Sequence, residues 1–180
     1  MYDKDTKSLW STITGEPVIG PLVGQNIKLN RLTVVTTTWG KWRELHPDST
    51  VLSLDTGFER DYGEGVAYKS YFDNDRLMFE VSQKKNVLPN KEPVLALRFG
   101  EGDKEVRIAI TIKHLKKIPV FHSTAGGQAF VVLTDKTGAA RVYQTGGNKF
   151  SHWNEKDTVE TEKGKNWQNA VVHVQRKLRF

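Results

Sequence analysis

The sequence predicts a β-rich α+β fold that combines antiparallel hairpins with one short tryptophan-bearing helix and long irregular loops. Two observations predict it. Short apolar runs of the β type recur at regular spacing in the second half of the chain, bounded by glycine, aspartate or proline. No apolar periodicity supports a helix longer than about three turns. The fold therefore depends on strands that pair through tight turns.

Composition indicates a soluble, globular chain. It has 180 residues, of which 37% are hydrophobic and 27% are charged. A chain of this size buries roughly 70% of its unfolded surface, in one core or in two small ones. No run approaches the ~18 apolar residues of a membrane span, and no signal peptide precedes Tyr2. The absence of cysteine excludes a disulfide, a cysteine-ligated zinc and a cysteine nucleophile within this chain.

The first residues predict a hairpin arm. Turn-forming residues at Asp3–Thr6 separate Tyr2 from an apolar group that contains Trp10. Between Gly15 and Gly24, glycine and proline recur too often for a regular element, so an irregular corner is expected there. An extended stretch over residues 27–35 follows.

A short helix is predicted over Trp39–His46. Thr38 provides the N-cap, Pro47 ends the helix, and Trp39 and Trp42 share one face. About two turns are too few to persist alone in water. We therefore expect both indole rings to be buried in a β-rich interior.

An acidic loop follows the helix. Val51–Leu54 is predicted to be a buried strand that ends at the turn Asp55–Gly57. Phe58–Leu77 is then a long, irregular connection in which tyrosines are interleaved with charges. Loops of this length and composition are often functional.

The second half of the chain predicts two hairpins. Val94–Phe99 is joined by a glycine-containing turn to Val106–Ile112, and one helical turn follows at Thr111–Lys117. Phe130–Leu133 and Ala140–Gln144 form the second pair, through a turn that contains Asp135 to Gly138.

Two further strands and one boundary complete the prediction. The strands are Phe150–Trp153 and Val171–Val174. Leu88–Pro93 precedes the regularly spaced β-type runs and marks the boundary between two units. Residues 1–87 contain the tryptophan helix and the acidic loop, and residues 88–180 form a β-hairpin unit. The two units are compatible with packing as one domain.

A set of motifs in residues 1–63 carries a family resemblance. The motifs are Met1–Trp10, Thr14–Glu16 with Gly20–Gly24, Thr37–Asp48, Val51–Ser53, and Asp55–Phe58 with Arg60–Gly63. Together they closely resemble the domain of unknown function 3179 family. A looser resemblance, in the same order, extends over residues 88–167.

The resemblance implies more about fold than about function. Members of that family usually have two related halves and an upstream Cys-Pro-Leu-Cys run, often behind a secretion signal. The resemblance therefore implies an extracytoplasmic location, periplasmic or secreted, with residues 1–87 as the tail of a first unit. The present sequence starts after the position of the cysteine run. We expect an uncharacterised, non-catalytic binding or structural protein or subunit, with a protein partner or a missing N-terminal half.

Two alternatives stay open. One is an enzyme, or a metal- or thiol-handling unit, whose reactive cysteines lie on a missing N-terminal half or on a partner. The other is polyanion binding through the basic groups at Lys113–Lys117 and Arg176–Arg179, which account for much of the net charge of +6. We expect no cofactor and no membrane span, and nucleic acid is not the expected partner.

Candidate binding residues lie around the end of the predicted helix and the acidic turn. They are Trp39, His46, Asp55, Glu59, Arg60, Asp61 and Tyr62. A positive imidazolium is favoured at a helix C-terminus, which makes His46 notable. Carboxylates in the turn supply oxygens of the type that hard cations prefer, but their spacing differs from that of a calcium loop. A network of turns and salt bridges is the alternative role.

No catalytic residue or metal ligand is predicted. Asp55–Gly57 has the residue types of an aspartic protease, but a single copy requires a homodimer and Phe58 stands where a small residue is preferred. A turn is the preferred interpretation. The histidines show no paired spacing suited to a metal or to a base. The tryptophans could form a stacking platform for sugars or bases, but core packing is preferred.

Overall fold

The structure, a computed structural model, describes residues 1–12, 14–30, 34–81, 87–100, 102–155, 158–162 and 166–168. The fold is strand-rich, with 30% of residues in strands and 13% in helices. The strands form antiparallel hairpin sheets, and the three helices found in the described residues are short. The predicted β-rich α+β fold class is confirmed.

The described elements are short strands with three isolated helices among them. Their bounds in chain order are β1 (Tyr2–Asp3), β2 (Ser8–Trp10), β3 (Pro17–Ile19), α1 (Trp39–Leu45), α2 (Lys69–Phe72), β4 (Val94–Phe99), a 3₁₀ turn (Gly102–Lys104), β5 (Val106–Thr111), α3 (Ile112–Lys117), β6 (Val120–Ala125), β7 (Gln128–Thr134), β8 (Ala140–Gln144), β9 (Phe150–Trp153), β10 (Thr158–Thr161) and β11 (Asn166–Gln168). The sheets in the described part have the strand orders β1–β2–β3, β4–β5, β6–β7–β8 and β9–β10–β11.

Strand β7 lies at the centre of the fold. Its side chains alternate between the two faces of the sheet, with Phe130 and Val132 on one face and Val131 and Leu133 on the other. All four side chains are fully buried. A strand buried on both faces is continuously apolar, which is why this run lacks the polar alternation of a half-exposed strand.

Each face of the central sheet packs against a different layer. On the Phe130 face, Phe99 of the β4–β5 hairpin and Leu115 of α3 complete one core, and the ring centroids of Phe99 and Phe130 are 5.0 Å apart. On the opposite face, Trp153 of β9 and Val159 of β10 complete a second core. The C-terminal body is therefore a three-layer arrangement with β6–β7–β8 in the middle.

The predicted hairpins are confirmed in the C-terminal body. β4 pairs with β5, β7 pairs with β8, and β9 lies at the predicted Phe150–Trp153. The helical turn before Pro119 is also present, and the Thr111 side chain accepts a hydrogen bond from the His114 amide at 3.2 Å as its N-cap. β6 was not predicted. The strand predicted at Val171–Val174 lies outside the described residues.

Helix α1 has the predicted ends but not the predicted environment. Thr38 Oγ1 accepts a hydrogen bond from the Lys41 amide at 3.2 Å, and Pro47 follows the C-cap residue. Trp39 and Trp42, however, are 45% and 43% exposed, and no residue of the helix is buried. The prediction that both indole rings enter a β-rich interior is wrong.

Local partners explain how α1 holds together without burial. Trp42 Nε1 donates a hydrogen bond to Ser49 Oγ at 2.8 Å, and the Trp42 ring centroid lies 4.0 Å from that of His46. An indole that satisfies its N–H and contacts another ring within its own segment does not require a distant core. The spacing of the tryptophans predicted a shared face correctly, but not what covers it.

The strand predicted at Val51–Leu54 is also absent. These residues are exposed coil, and Leu52 is 92% exposed. A strand needs a neighbouring backbone to pair its N–H and C=O groups, and no partner strand adjoins this segment in the described residues.

Two elements occur where irregular chain was predicted. α2 lies inside the Phe58–Leu77 connection, and β3 lies in the glycine- and proline-rich corner. β3 forms because β2 offers an edge, with Leu9 opposite Ile19. Gly20 ends β3 with a φ of 106°, and a Cβ there would lie 2.8 Å from the Lys7 carbonyl oxygen. The predicted division between residues 87 and 88 stays a prediction.

We expect Phe130→Ala to lower the free energy of unfolding by about 3–5 kcal/mol, because the ring is fully buried between β7 and the β4–β5 hairpin. Urea denaturation followed by fluorescence measures the change. Trp42→Ala is the matched control, since it removes an aromatic ring that is half-exposed, and its cost should stay below about 1.5 kcal/mol. Equal losses in both variants would contradict the assignment of the core.

Candidate functional site

The predicted binding residues lie on the surface of α1 and of the loop that follows it. All are exposed: Trp39, His46, Asp55, Glu59, Arg60, Asp61 and Tyr62. The Tyr62 hydroxyl is hydrogen-bonded to Thr56 Oγ1 at 2.8 Å, and Asp61 Oδ1 accepts a hydrogen bond from the Gly63 amide at 2.8 Å. These bonds shape the loop itself. That the seven residues act as one binding set stays a prediction.

The acidic loop does not gather its carboxylates into a metal site. Among the residues that the structure describes, no group of three or more histidine, aspartate or glutamate side chains is arranged to hold a metal ion. No helix in that same part of the chain is both long and apolar enough to span a membrane.

The first basic group lies on α3. His114, Lys116 and Lys117 occupy the last turn of this helix, where positive charge complements the helix dipole. This arrangement gives the lysines a structural role that needs no polyanion. The second predicted basic group, Arg176–Arg179, lies outside the described residues.

Asp135 is the most buried charged side chain that the structure describes. Its Oδ1 accepts hydrogen bonds from the amides of Thr137, Gly138 and Ala139 at 3.0, 3.1 and 3.0 Å, and from the Thr137 hydroxyl at 2.6 Å. Its side chain is 0% exposed. The carboxylate thus organises the whole β7–β8 turn around one oxygen atom.

The electrostatic balance keeps Asp135 ionised. Burial acts to raise the pKa of this carboxyl, but the hydrogen bonds from Thr137 and Ala139 and the positive charge of Arg141 outweigh it, so the pKa lies below its ordinary value. Asp135 Oδ2 lies 3.5 Å from Arg141 Nη1 and has no hydrogen-bond partner in the described residues. The second oxygen is therefore held by charge rather than by a direct hydrogen bond.

Arg141 connects this turn to the second core. Its guanidinium carbon lies 5.3 Å from the centroid of the Trp153 ring, within the range of a cation–π contact. Arg141 and Tyr143 follow each other on the same face of β8. The hydroxyl of Tyr143 and Nε1 of Trp153 are both buried without a hydrogen-bond partner in the described residues. The face of β8 that carries Arg141 and Tyr143 thus combines apolar packing with polar atoms that have no hydrogen-bond partner in the described residues.

Burial determines the ionisation of Tyr143. Desolvation raises the pKa of its hydroxyl to about 12, and the nearby positive charge of Arg141 offsets only part of this effect. A tyrosine with such a pKa is neutral at physiological pH and is not poised as a general base or nucleophile. We assign it to packing.

A cleft of about 440 Å³ lies on the other side of the β7–β8 turn. Three parts of the chain line it: Val34 with Thr36–Thr38, the start of β4 at Pro93–Leu95, and the turn residues Thr137–Ala140, with Ile112 beside them. None of these lining side chains is ionisable. Thr37 Oγ1 is buried and has no hydrogen-bond partner in the described residues. The cleft therefore suits an uncharged group.

Sequence reasoning identified the turn at Asp135 but missed its neighbours. Asp135 continues the alternation of Val131 and Leu133, which places a carboxylate on an apolar face. A buried charge requires a partner. The basic residue at the start of the returning strand, Arg141, was the available signal. No pattern in the sequence indicated that residues 34–38 would lie against the same turn.

Comparison with known proteins gives one match. The family model described as "protein of unknown function (DUF3179)" matches residues 1–179. This match confirms the resemblance read from the motifs. A search of the curated proteins found no match, and a search of the solved structures found none either.

We expect Asp135→Asn to lower the free energy of unfolding by about 1–3 kcal/mol near neutral pH, because the hydrogen bonds and Arg141 favour the charged form. A carboxyl with a lowered folded-state pKa adds stability above its unfolded pKa, and this is lost as pH falls through the folded-state pKa. The difference between wild type and variant should therefore shrink below about pH 4. Urea denaturation across pH measures it, with Asp48→Asn as the exposed control.

Tyr143→Phe should leave stability near pH 7 unchanged or raise it by up to about 1–3 kcal/mol, because it removes a buried hydroxyl that has no partner. Since the folded-state pKa is raised to about 12, the wild type should lose stability as pH rises above about 10, and the variant should lack this component. Denaturation at neutral and alkaline pH tests both. A loss above about 1 kcal/mol near pH 7 would show that the hydroxyl has a partner.

Proposed function

The chain belongs to the family of proteins of unknown function DUF3179, and we propose that it is a non-catalytic, extracytoplasmic binding or structural subunit. Its partner is another polypeptide, which covers an apolar face of the β1–β2–β3 sheet. The location follows from what the family resemblance implies. The proposal of a partner follows from one observation on this sheet.

That observation is an exposed apolar stripe across three strands. Tyr2 lies opposite Leu9, and Leu9 lies opposite Ile19, so the three side chains share one face. They are 56%, 37% and 61% exposed. Trp10, the next residue along β2, is buried. Since Ser8 and Trp10 are buried and Leu9 between them is exposed, strand β2 has one covered side and one side open to solvent.

The described residues up to residue 81 expose further apolar side chains. In the described part of residues 1–81, the buried residues are Ser8, Trp10 and Gly15. Large apolar side chains in the same region are exposed, among them Val34, Leu54, Phe58, Phe72 and Phe79. Contiguous exposed apolar surface, as across Tyr2, Leu9 and Ile19, is typical of sites that bind another protein. Full burial of a leucine or isoleucine side chain contributes about 1.5–3 kcal/mol, so a partner would gain substantially by covering the stripe.

The buried polar groups of the C-terminal body support a non-catalytic role. Asp135 is committed to its turn, and Tyr143 is neutral and enclosed. Neither offers the exposed, pKa-matched group that acid–base catalysis requires. The alternatives of a thiol-handling enzyme and of polyanion binding have no contact among the described residues that favours them.

We expect Ile19→Glu to weaken partner binding at least about tenfold, because it places a charge within the apolar stripe, on the residue of the stripe that is most exposed. The full chain is isolated from its native cells with bound protein, the complex is reconstituted from purified components, and the dissociation constant is measured by calorimetry.

Val51→Glu is the control, since Val51 is 70% exposed and lies outside the β1–β2–β3 sheet, so it adds the same charge away from the stripe. Circular dichroism checks that both variants fold. A chain that remains alone in its native cells, or a complex insensitive to Ile19→Glu, would contradict the proposal. Substrate turnover by a reconstituted complex that carries cysteines would favour the enzyme alternative instead.

A further inference from the structure

Strand β4 has an open edge. It pairs with β5 alone in a two-stranded sheet, so its other side has no neighbouring strand in the described residues. The Ile112 amide donates to the Pro93 carbonyl at 2.9 Å, one step before the Val94–Thr111 pair. Because bonded and non-bonded pairs alternate in an antiparallel ladder, Leu95 is bonded to β5, whereas the N–H and C=O groups of Val94 and Ala96 point away from it.

This edge is accessible and uncharged at its first residues. Val94 and Ala96 are both exposed. Proteins commonly protect a free edge with a charged side chain. On β4 such a charge appears only further along, where Arg98 is bound to Glu105. The open part of the edge therefore lies at the N-terminal half of the strand, beside Pro93.

The same half of β4 lines the 440 Å³ cleft. The opposite wall is formed by Val34 and Thr36–Thr38, and no ionisable side chain among the described residues lines the space. Thr38 is already used as the N-cap of α1, whereas Thr37 Oγ1 is buried and unpaired in the described residues. An open strand edge and a cleft lined by uncharged side chains thus meet at one place.

We propose that this edge and cleft bind an extended peptide segment of a partner protein, which adds as a strand to β4 and places uncharged side chains in the cleft. Backbone N–H and C=O groups that recur at every second residue match another extended backbone, and not a helix. The absence of charge on the lining side chains disfavours acidic or basic side chains at the buried positions.

The proposal concerns a surface distinct from the Tyr2–Leu9–Ile19 stripe and does not rest on it. Strand addition draws its affinity from main-chain hydrogen bonds and its specificity from pockets for alternate side chains. β4 supplies the main-chain hydrogen bonds, and the cleft supplies the pocket for side chains.

The test uses the full chain and a phage-displayed library of random peptides of about eight residues, long enough to pair as a strand. Peptides selected on the wild type are synthesised, and their dissociation constants are measured for wild type, Ala96→Pro and Ala96→Val. Ala96→Pro removes the outward N–H and keeps the ladder to β5, because proline is tolerated at a free edge. Ala96→Val changes the side chain and keeps the N–H.

We expect the selected peptides to carry uncharged residues at alternate positions and to lose at least about tenfold in affinity for Ala96→Pro but not for Ala96→Val. Amide hydrogen exchange by NMR should show Val94 and Ala96 exposed in the free protein and protected in the complex.

Three results would overturn the proposal: no enriched peptide, peptides that bind Ala96→Pro as well as the wild type, or Val94 and Ala96 amides already protected in the free chain. A dimer abolished by Ala96→Pro would assign the edge to a second copy and overturn it as well. None of these outcomes depends on Ile19, so failure here and failure of the proposed function are distinguishable.

Discussion

The burial of β7 on both of its faces is the constraint on which the rest of the C-terminal body depends. Phe130 and Val132 require a layer on one side, and Val131 and Leu133 require a layer on the other. The β4–β5 hairpin with α3 meets the first requirement, and β9 with β10 meets the second. Because the interior is close-packed, each layer fixes the position of the central sheet for the other. The three-layer order follows from four consecutive apolar side chains.

The same burial has a polar consequence where β7 ends. Alternation carries Asp135 onto the face of Val131 and Leu133, away from water. A buried carboxylate is tolerated only if it is paired and hydrogen-bonded. The β7–β8 turn supplies amide donors to one oxygen, and Arg141 supplies the charge for the other. Gly138 completes the turn with a φ of 99°, and a Cβ there would lie 2.8 Å from Ile112 Cγ2. The charged pair is thus a structural requirement of the turn.

The first part of the chain follows a different principle. Its short elements are held by local bonds, as in the Trp42–Ser49 contact, and the β1–β2–β3 sheet buries Trp10 but leaves its other large apolar side chains exposed. Segments with little buried apolar area contribute little to global stability and are suited to binding. Both proposed interaction surfaces adjoin this region: the stripe lies within it, and the cleft beside β4 uses residues 34–38 as a wall. Binding at the stripe would bury its exposed apolar side chains. Binding at the β4 edge would pair backbone N–H and C=O groups that point away from β5.

The sequence by itself determined what depends on neighbours along the chain. Thr38 capped α1, Thr111 capped α3, and the turn at Asp135 joined β7 to β8, because caps and turns are decided within a few residues. The family motifs likewise lie in local runs.

Only the tertiary structure decided which apolar groups are covered. Trp39, Trp42 and Leu52 are of residue types that are common in cores, yet they are exposed. Asp135 is of a type that is common on surfaces, yet it is buried. Burial of a side chain depends on which distant segment of the chain packs against it. The residue types in a local run do not specify that segment. The juxtaposition of residues 34–38 with β4 belongs to the same class, since it joins parts of the chain more than fifty residues apart.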